Sequence, residues 1–319
     1  MKVIKVKTKP TYEILIGENL LEDLPKDLLR TLNFGKVALV TDDQVATLYA
    51  ERLRKGLAKE GILSEVFVFP KGESSKNINT VITLAQALLS KGFDRKDMII
   101  ALGGGVVGDI AGFLASIYLR GIPYIQVPTT LLAQVDSSVG GKTGVDLPEG
   151  KNLLGTFYQP AKVYIDVNLL KTLPEIELKN GLAEIIKYAC ILKYNLFKYL
   201  NKNVQKIFSR DPKALTFLIY HSVLTKAKVV SLDEKEAGLR RVLNFGHTLG
   251  HALEAYSNYS VPHGLAVAVG MLIEAKLSEL LKINEEPLYE PIKNLLKKFN
   301  MPVSIAQLNI KPKAFDLVD

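Results

Sequence analysis

The chain has 319 residues, 48% hydrophobic and 23% charged, a globular composition long enough for two domains. One cysteine, Cys190, excludes an intramolecular disulfide framework and fits a reducing interior. The net charge of +8 comes from lysines spread along the chain, so plain surface charge is the first reading, a cleft attracting phosphorylated substrates the second, and a nucleic-acid face the last.

The N-terminal Met1–Thr8 alternates lysine with apolar residues like a strand and lacks the apolar core of a secretion signal. No run of 18 apolar residues is expected to span a membrane, which points to a cytoplasmic protein without a membrane partner. Val37–Thr41 reads as a strand, followed by a helix over Gln44–Lys59. Glu65–Phe69 is a strand with a helix over Asn77–Ser90, and Met98–Leu102 a strand with a helix over Val106–Ser116. Tyr124–Val127 and Lys162–Asp166 are further strands. This alternation predicts βαβ units and a mainly parallel sheet, with ligands at the carboxyl ends of its strands. Beyond Asp166 the texture changes: Pro174–Tyr199, Pro212–Leu232 and His263–Leu281 carry helical spacing. Cys190, in the first of these, reads as a buried small hydrophobe. The expected fold is an α/β nucleotide-binding domain over 1–165, then a mostly α-helical metal- and substrate-binding domain over 166–319. The default active site is the cleft between them.

Two glycine-rich segments lie in the first half. Gly103-Gly104-Gly105-Val-Val-Gly108-Asp109 follows a strand and opens a helix, where bare backbone amides and the helix N-terminus suit an anion such as a pyrophosphate. Its spacing is not that of the dinucleotide fingerprint G-x-G-x-x-G. Gln134–Gly144, containing Gly140-Gly141-Lys142-Thr143, lacks the first glycine of a P-loop, which excludes an ATPase of that kind. It reads as a loop in which Lys142 and Asp136 grip a phosphorylated substrate, and Lys151-Asn152 follows in another glycine-flanked turn.

Three of the four histidines, His247, His251 and His263, fall in one short window. His247 and His251 are four apart and share a helical face; upstream, Glu184 and Lys187 are three apart on another. Two or three imidazoles with one carboxylate form the ligand set of a catalytic divalent metal with an open position. The residues alone leave open which histidine stands outside that set. Lys142, Lys151, Lys187, Lys226, Arg120 and Arg240 adjoin the glycine loops or the metal candidates. Of these, Lys187 and Arg240 are the best placed to point into a site and bind a carboxylate or phosphate.

These residues together resemble the 3-dehydroquinate synthase family, from about residue 12 onward. The shared motifs are Gly103–Asp109, Gln134–Gly144, Gly150-Lys-Asn152, Gly181-Leu-Ala-Glu-Ile-Ile-Lys-Tyr188, Gly238-Leu-Arg240, Leu243-Asn-Phe-Gly-His-Thr-Leu-Gly-His-Ala-Leu-Glu254 and Pro262-His-Gly264. The resemblance implies conversion of 3-deoxy-D-arabino-heptulosonate 7-phosphate to 3-dehydroquinate and phosphate. It implies NAD that is reduced and reoxidised within one turnover, one divalent metal (usually zinc, with cobalt an alternative), and a homodimer. By motif, Glu184, His247 and His263 bind the metal, and His251 contacts the substrate and moves protons. Asp136, Lys142, Asn152, Lys187, Lys226, Arg240 and Asn244 match substrate-pocket positions, and Arg120 matches an arginine that reaches across the dimer. Asp42, Glu73, Lys76, Gly103, Gly104, Gly105, Asp109, Thr129, Thr130, Lys142, Lys151 and Thr172 match nucleotide positions.

The family usually has asparagine at Gln44 and Asp146 and arginine near Ile176. It usually continues past Ala314–Asp319 with a lysine pair that reaches the substrate phosphate. The rivals are a metal- and NAD-dependent alcohol or glycerol dehydrogenase, another sugar-phosphate cyclase, and a basic nucleic-acid binder. The basic pocket argues against the first, the Asp136–Lys142 loop favours the dehydroquinate branch over the second, and the histidine cluster is unexplained by the third.

Overall fold

The computed structural model describes residues 1–308 and Ile310; the Ala314–Asp319 stretch lies outside them. In chain order, β1 (Lys2–Val6) and β2 (Tyr12–Gly17) are followed by α1 (Leu20–Thr31) and β3 (Val37–Asp42). Then α2 (Asp43–Val45) continues through a wide π turn at Ala46–Ala50 into α3 (Glu51–Lys59). Next come β4 (Ser64–Phe69), α4 (Ile78–Ser90), β5 (Met98–Gly103), α5 (Gly105–Ile117) and β6 (Tyr124–Pro128). A hairpin, β7 (Lys142–Leu147) and β8 (Gly150–Phe157), precedes the last strand of the main sheet, β9 (Lys162–Asp166). Helices follow: α6 (Glu175–Ile191), α7 (Tyr194–Lys202), α8 (Val204–Phe208), α9 (Pro212–Leu232), α10 (His247–Tyr256), α11 (His263–Leu280) and α12 (Tyr289–Lys298).

The seven-stranded sheet has the order β1-β2-β9-β6-β5-β3-β4. Only the β1–β2 pair is antiparallel. The central strands β5 and β6 are buried along their whole length, as continuous apolar runs covered on both faces must be. Edge strand β1 keeps Lys2 and Lys5 in solvent, which blunts an open edge. From β3 the chain runs outward to β4 and then returns across β3 to β5. The carboxyl ends of β3 and β5 therefore flank a switch point, where such sheets leave a crevice for ligands.

One face of the sheet is filled by α1 and α3, with Leu24, Leu28, Leu53 and Leu57 packed on Leu39, Ile100 and Ile125. Near β4, β3 and β5 the other face carries α4 and α5. Farther along, Ile4, Ile14 and Ile165 of β1, β2 and β9 join Leu182 and Ile186 of α6 and Leu218 of α9 in the largest apolar cluster. The helical region is thus packed directly on the sheet through a shared core.

Two local expectations change, and two features come as additions. Pro174–Tyr199 breaks into α6 and α7 at Leu192-Lys193; Lys193 leaves helical space (φ −144°, ψ 72°) with no proline or glycine to signal it. Gln134–Gly144 is not a plain loop: Ala133–Ser137 is a π turn, Gly140 and Gly141 turn the chain at positive φ, and Lys142 starts β7. The segments Tyr12–Gly17 and Leu20–Thr31, unassigned from the sequence, form β2 and α1. Helix α9 is long and apolar enough to cross a membrane on length and composition alone, although no such segment was expected; here it is a core helix against β1 and β2, 56% buried over its most apolar stretch.

Candidate active site

A cleft of about 950 Å³ opens at the carboxyl ends of β3 and β5, a volume typical of ligand sites. One wall belongs to the sheet. There β5 ends at Gly103, and α5 begins after an extended Gly104 (φ −73°, ψ −169°). A methyl group on Gly103 would meet Val107 Cβ at 2.6 Å, and one on Gly105 would meet Ser137 Oγ at 3.2 Å. A side chain is excluded at Gly103 and cramped at Gly105, and the first amides of a 13-residue helix carry no side-chain cap.

Around this cradle lie most of the nucleotide candidates. Asp42 Oδ1 accepts from Val45 N–H at 2.8 Å, and burial raises its carboxyl above the usual range. Buried Lys76 pairs with Asp109 Oδ2 at 2.7 Å and donates to Asn152 Oδ1 at 2.5 Å. Thr129 N–H donates to Gly103 O at 2.9 Å, and Thr130 Oγ1 accepts from Ala133 N–H at 3.2 Å. The Thr172 hydroxyl lies 2.5 Å from Tyr49 Oη. Lys151 spans the cleft: its Nζ is 3.4 Å from Glu73, 3.3 Å from Glu254 and 4.3 Å from the Tyr259 ring centre.

The opposite wall takes Asn180 from α6, His251 and Glu254 from α10 and His263 from α11, with Glu184 and His247 behind it. Glu184 is fully buried on α6, paired with Lys187 one turn along. Helix α10 starts at His247 because Gly246 turns left-handed (φ 78°) and gives its N–H to Glu274 Oε2 at 2.7 Å. A methyl on Gly270 would meet Gly246 O at 2.1 Å, so glycine lets α11 press against this turn. Pro262 opens α11 at His263, and Gly264 N–H donates to Asn180 Oδ1 of α6 at 2.5 Å, fixing that helix start to the third one.

The result is a tight cluster. His247 Nε2 lies 3.5 Å and His263 Nε2 3.6 Å from Glu184 Oε1. The ring of His251 is centred 5.3 Å from that of His247 and 5.8 Å from that of His263. Ligand atoms of Glu184, His247 and His263 all lie within 4.8 Å of one another. Both Glu184 oxygens are buried without a well-formed hydrogen bond. That donor set, two imidazole nitrogens facing a buried carboxylate whose partner on the other side is Lys187, fits a divalent cation. A bare carboxylate and a nitrogen lone pair at this range repel unless a cation or a proton sits between them.

The electrostatics agree. Burial opposes the Glu184 charge, but Lys187, His263 and His247 outweigh it and bring the carboxyl to about 2. Burial pulls His247 down to about 4, only partly opposed by Glu184. Burial also opposes a charged His263, yet Glu184 and Glu254 on its two sides push it up to about 10. Burial, with His263 nearby, keeps His251 below its usual value and so neutral at pH 7.

Behind Asp136, which lines the cleft, sits a cationic floor whose Lys142, Lys187, Lys226 and Arg240, with Asn244, are not themselves among the lining residues. Asp136 Oδ1 accepts from Lys226 Nζ at 2.8 Å and from Tyr188 Oη at 2.5 Å; burial would raise its carboxyl, but Lys226 and Lys187 hold it far below the carboxylate range. Arg240 is 2% exposed and spends its donors on carbonyls, Glu234 O at 2.7 Å and Gly140 O at 3.4 Å. Lys142 is more exposed and pairs with Glu236, which also accepts from exposed Asn244 at 3.5 Å. Arg120 stands apart: it is exposed after α5 with left-handed backbone (φ 71°) and does not line the cleft.

Glu254, Tyr188 and Glu236 were not singled out from the sequence, although each contacts a residue that was. Glu254 carries a readable signal, being three residues after His251 on one helix. Tyr188 and Glu236 carry none, since their contacts are long-range.

The family model for 3-dehydroquinate synthase N-terminal matches residues 66–180, and that for 3-dehydroquinate synthase C-terminal matches 181–316. A 3-dehydroquinate synthase of Thermodesulfovibrio yellowstonii is 48% identical over 296 residues, 92% of this chain and 82% of its own. A solved 2-deoxy-scyllo-inosose synthase, complexed with carbaglucose-6-phosphate, NAD+ and Co2+, superposes with TM-score 0.90 at 28% identity, covering 99% of this chain and 85% of that one. A 2-epi-5-epi-valiolone synthase from Streptomyces hygroscopicus subsp. jinggangensis, with NAD+ and Zn2+ bound, gives TM-score 0.85 at 30% identity, covering 92% and 81%.

Proposed function

The chain belongs to the 3-dehydroquinate synthase family, and on that premise we propose that it converts 3-deoxy-D-arabino-heptulosonate 7-phosphate to 3-dehydroquinate and inorganic phosphate, using NAD and one divalent metal. The observation that carries this reading is one cleft with a backbone anion cradle on one wall and, on the other, His263, whose ligand atoms cluster with those of Glu184 and His247 behind it. When bound, the metal acidifies a substrate hydroxyl and NAD takes a hydride that it returns in the same turnover.

The chain's own groups divide the remaining work. Glu184, His247 and His263 hold the metal, zinc or cobalt. The Gly103–Gly105 amides, with Asp42, Glu73, Lys76, Asp109, Thr129, Thr130, Lys151 and Thr172, hold the nucleotide. Lys142, Lys187, Lys226, Arg240, Asn152 and Asn244 bind the substrate's carboxylate, phosphate and hydroxyls. Arg240 suits an anion because the guanidinium's hydrogen-bond partners are carbonyls and no carboxylate forms an ion pair with it. Asp136, kept ionised by Lys226, is an acceptor for a substrate hydroxyl. Neutral His251, lining the cleft, can take or give a proton near pH 7. The metal- and substrate-binding region begins near residue 166, after the last strand. The working form is a cytoplasmic homodimer in which exposed Arg120 reaches the partner's site.

A dehydrogenase acting on a neutral polyol has no use for this cationic floor. The test is phosphate release from the heptulosonate phosphate with zinc and catalytic NAD, with absorbance followed at 340 nm. Phosphate release without NADH build-up, abolished by a chelator, is expected. Stoichiometric NADH accumulation without phosphate release sinks the proposal in favour of a dehydrogenase.

A further inference from the structure

We infer that Glu254 is a positioning residue of the metal centre, fixing the tautomer and tilt of His263 so that its Nε2 faces Glu184 and His247. The inference rests on reading Glu184, His247 and His263 as the metal set.

Glu254 lies on α10 and is 3% exposed, an expensive place for a carboxylate without compensation. Its compensation is specific. Oε2 is 2.9 Å from His263 Nδ1, and Oε1 is 3.3 Å from Lys151 Nζ. Nδ1 sits 2.9 Å from Glu254 and Nε2 3.6 Å from Glu184, so once a cation replaces the proton on Nε2, Nδ1–H donates to Glu254 and the Nε2 lone pair is left for the ion on the Glu184 side. His247 is built alike with a weaker partner: its Nδ1 is 3.1 Å from the Phe245 carbonyl. Both rings thus present Nε2 to one point, but only His263 is backed by a charge. A carboxylate behind a ligating imidazole raises its basicity as well as fixing its orientation. Lys151 holds the carboxylate from the nucleotide side.

The same residues allow a rival reading. Ligand atoms of His251, Glu254 and His263 also lie within 4.8 Å of one another, close enough for a second ion. That ion would have to displace both Lys151 and the His263 N–H from Glu254, and His251 is exposed on the cleft side. Support of one ion is the cheaper arrangement.

The test is cobalt titration of the metal-stripped full chain, read by its visible absorption bands, with zinc titration by calorimetry. Wild type, Glu254→Gln and Glu254→Ala are compared, with thermal melting of the metal-free forms. Wild type is expected to take one ion per chain. Glu254→Ala should bind roughly 10- to 100-fold more weakly with altered cobalt bands. Glu254→Gln should fall between them, because an amide oxygen still accepts the N–H but brings no charge. If the alanine variant does not fold, the glutamine variant decides alone. Unchanged affinity and bands in the variants, with wild type binding normally, overturn the inference and leave the metal reading standing. A second ion in wild type that the variants lose selectively also overturns it. Wild type taking up no ion sinks the metal reading, and the inference with it.

Discussion

The two walls of the cleft recognise by opposite means. The sheet wall is backbone: a side chain at Gly103 would collide with Val107, ones at Gly104 and Gly105 would be cramped, and what it offers an anion is a helix N-terminus. The helical wall is side chain: Glu184, His247 and His263 come from three helices, brought together by glycine contacts and a cap that Asn180 Oδ1 gives to Gly264 N–H. A backbone site needs room and conformation, so it is damaged by adding atoms. A side-chain site needs donors, so it is damaged by removing them.

That contrast can be broken from either side. His263→Ala is expected to have the largest effect, abolishing turnover and weakening metal binding by more than about 100-fold while nucleotide affinity stays within roughly twofold. Metal analysis and nucleotide calorimetry on the same sample check this; full activity with metal retained would end the ligand assignment. Gly105→Val is the mirror image. Its branched side chain would crowd Ser137 and fill the cradle, so nucleotide affinity should fall at least about tenfold while the metal is kept. Loss of both ligands together would mean that the walls are not separable.

Lys142→Ala sharpens the comparison at the floor. A half-exposed cation should cost substrate affinity about tenfold, near 1.4 kcal/mol, and leave the nucleotide nearly untouched. Unchanged substrate affinity in calorimetry counts against that role.

The smallest effect on the site should come from Asp27→Asn, away from both walls. Asp27 accepts from Lys162 and Tyr164, each at 2.7 Å. Burial would raise its carboxyl, but these partners and Arg30 lower it overall. A folded value below the unfolded one means that the contribution is complete above about pH 4 and is lost as pH falls toward the folded value. The variant should lose roughly 1–3 kcal/mol at neutral pH, with the difference from wild type closing in acid and activity unchanged. A constant difference in melting temperature down to pH 2 would refute the linkage.

Much of the sheet wall was legible in the sequence, because its determinants are local. A run such as Met98–Leu102 announces a buried strand, and three glycines before a helix announce a close backbone approach. The helical wall was half legible. Four-residue spacing placed His247 and His251 on one face, but choosing His263 over His251 as partner of Glu184 required the family resemblance.

Spacing and motifs specify the α/β-then-helical order, the glycine cradle, the set of candidate ligands and the family. The remaining features come from packing. It put Glu254 behind His263, Tyr188 and Lys226 on Asp136, and Lys151 between the walls. It made an exposed arginine of Arg120 and a strand of Lys142. The reason is physical. Backbone conformation follows from neighbours along the chain, whereas a buried charge takes its partners from whatever packing brings within a few ångströms, and sequence spacing carries no record of that.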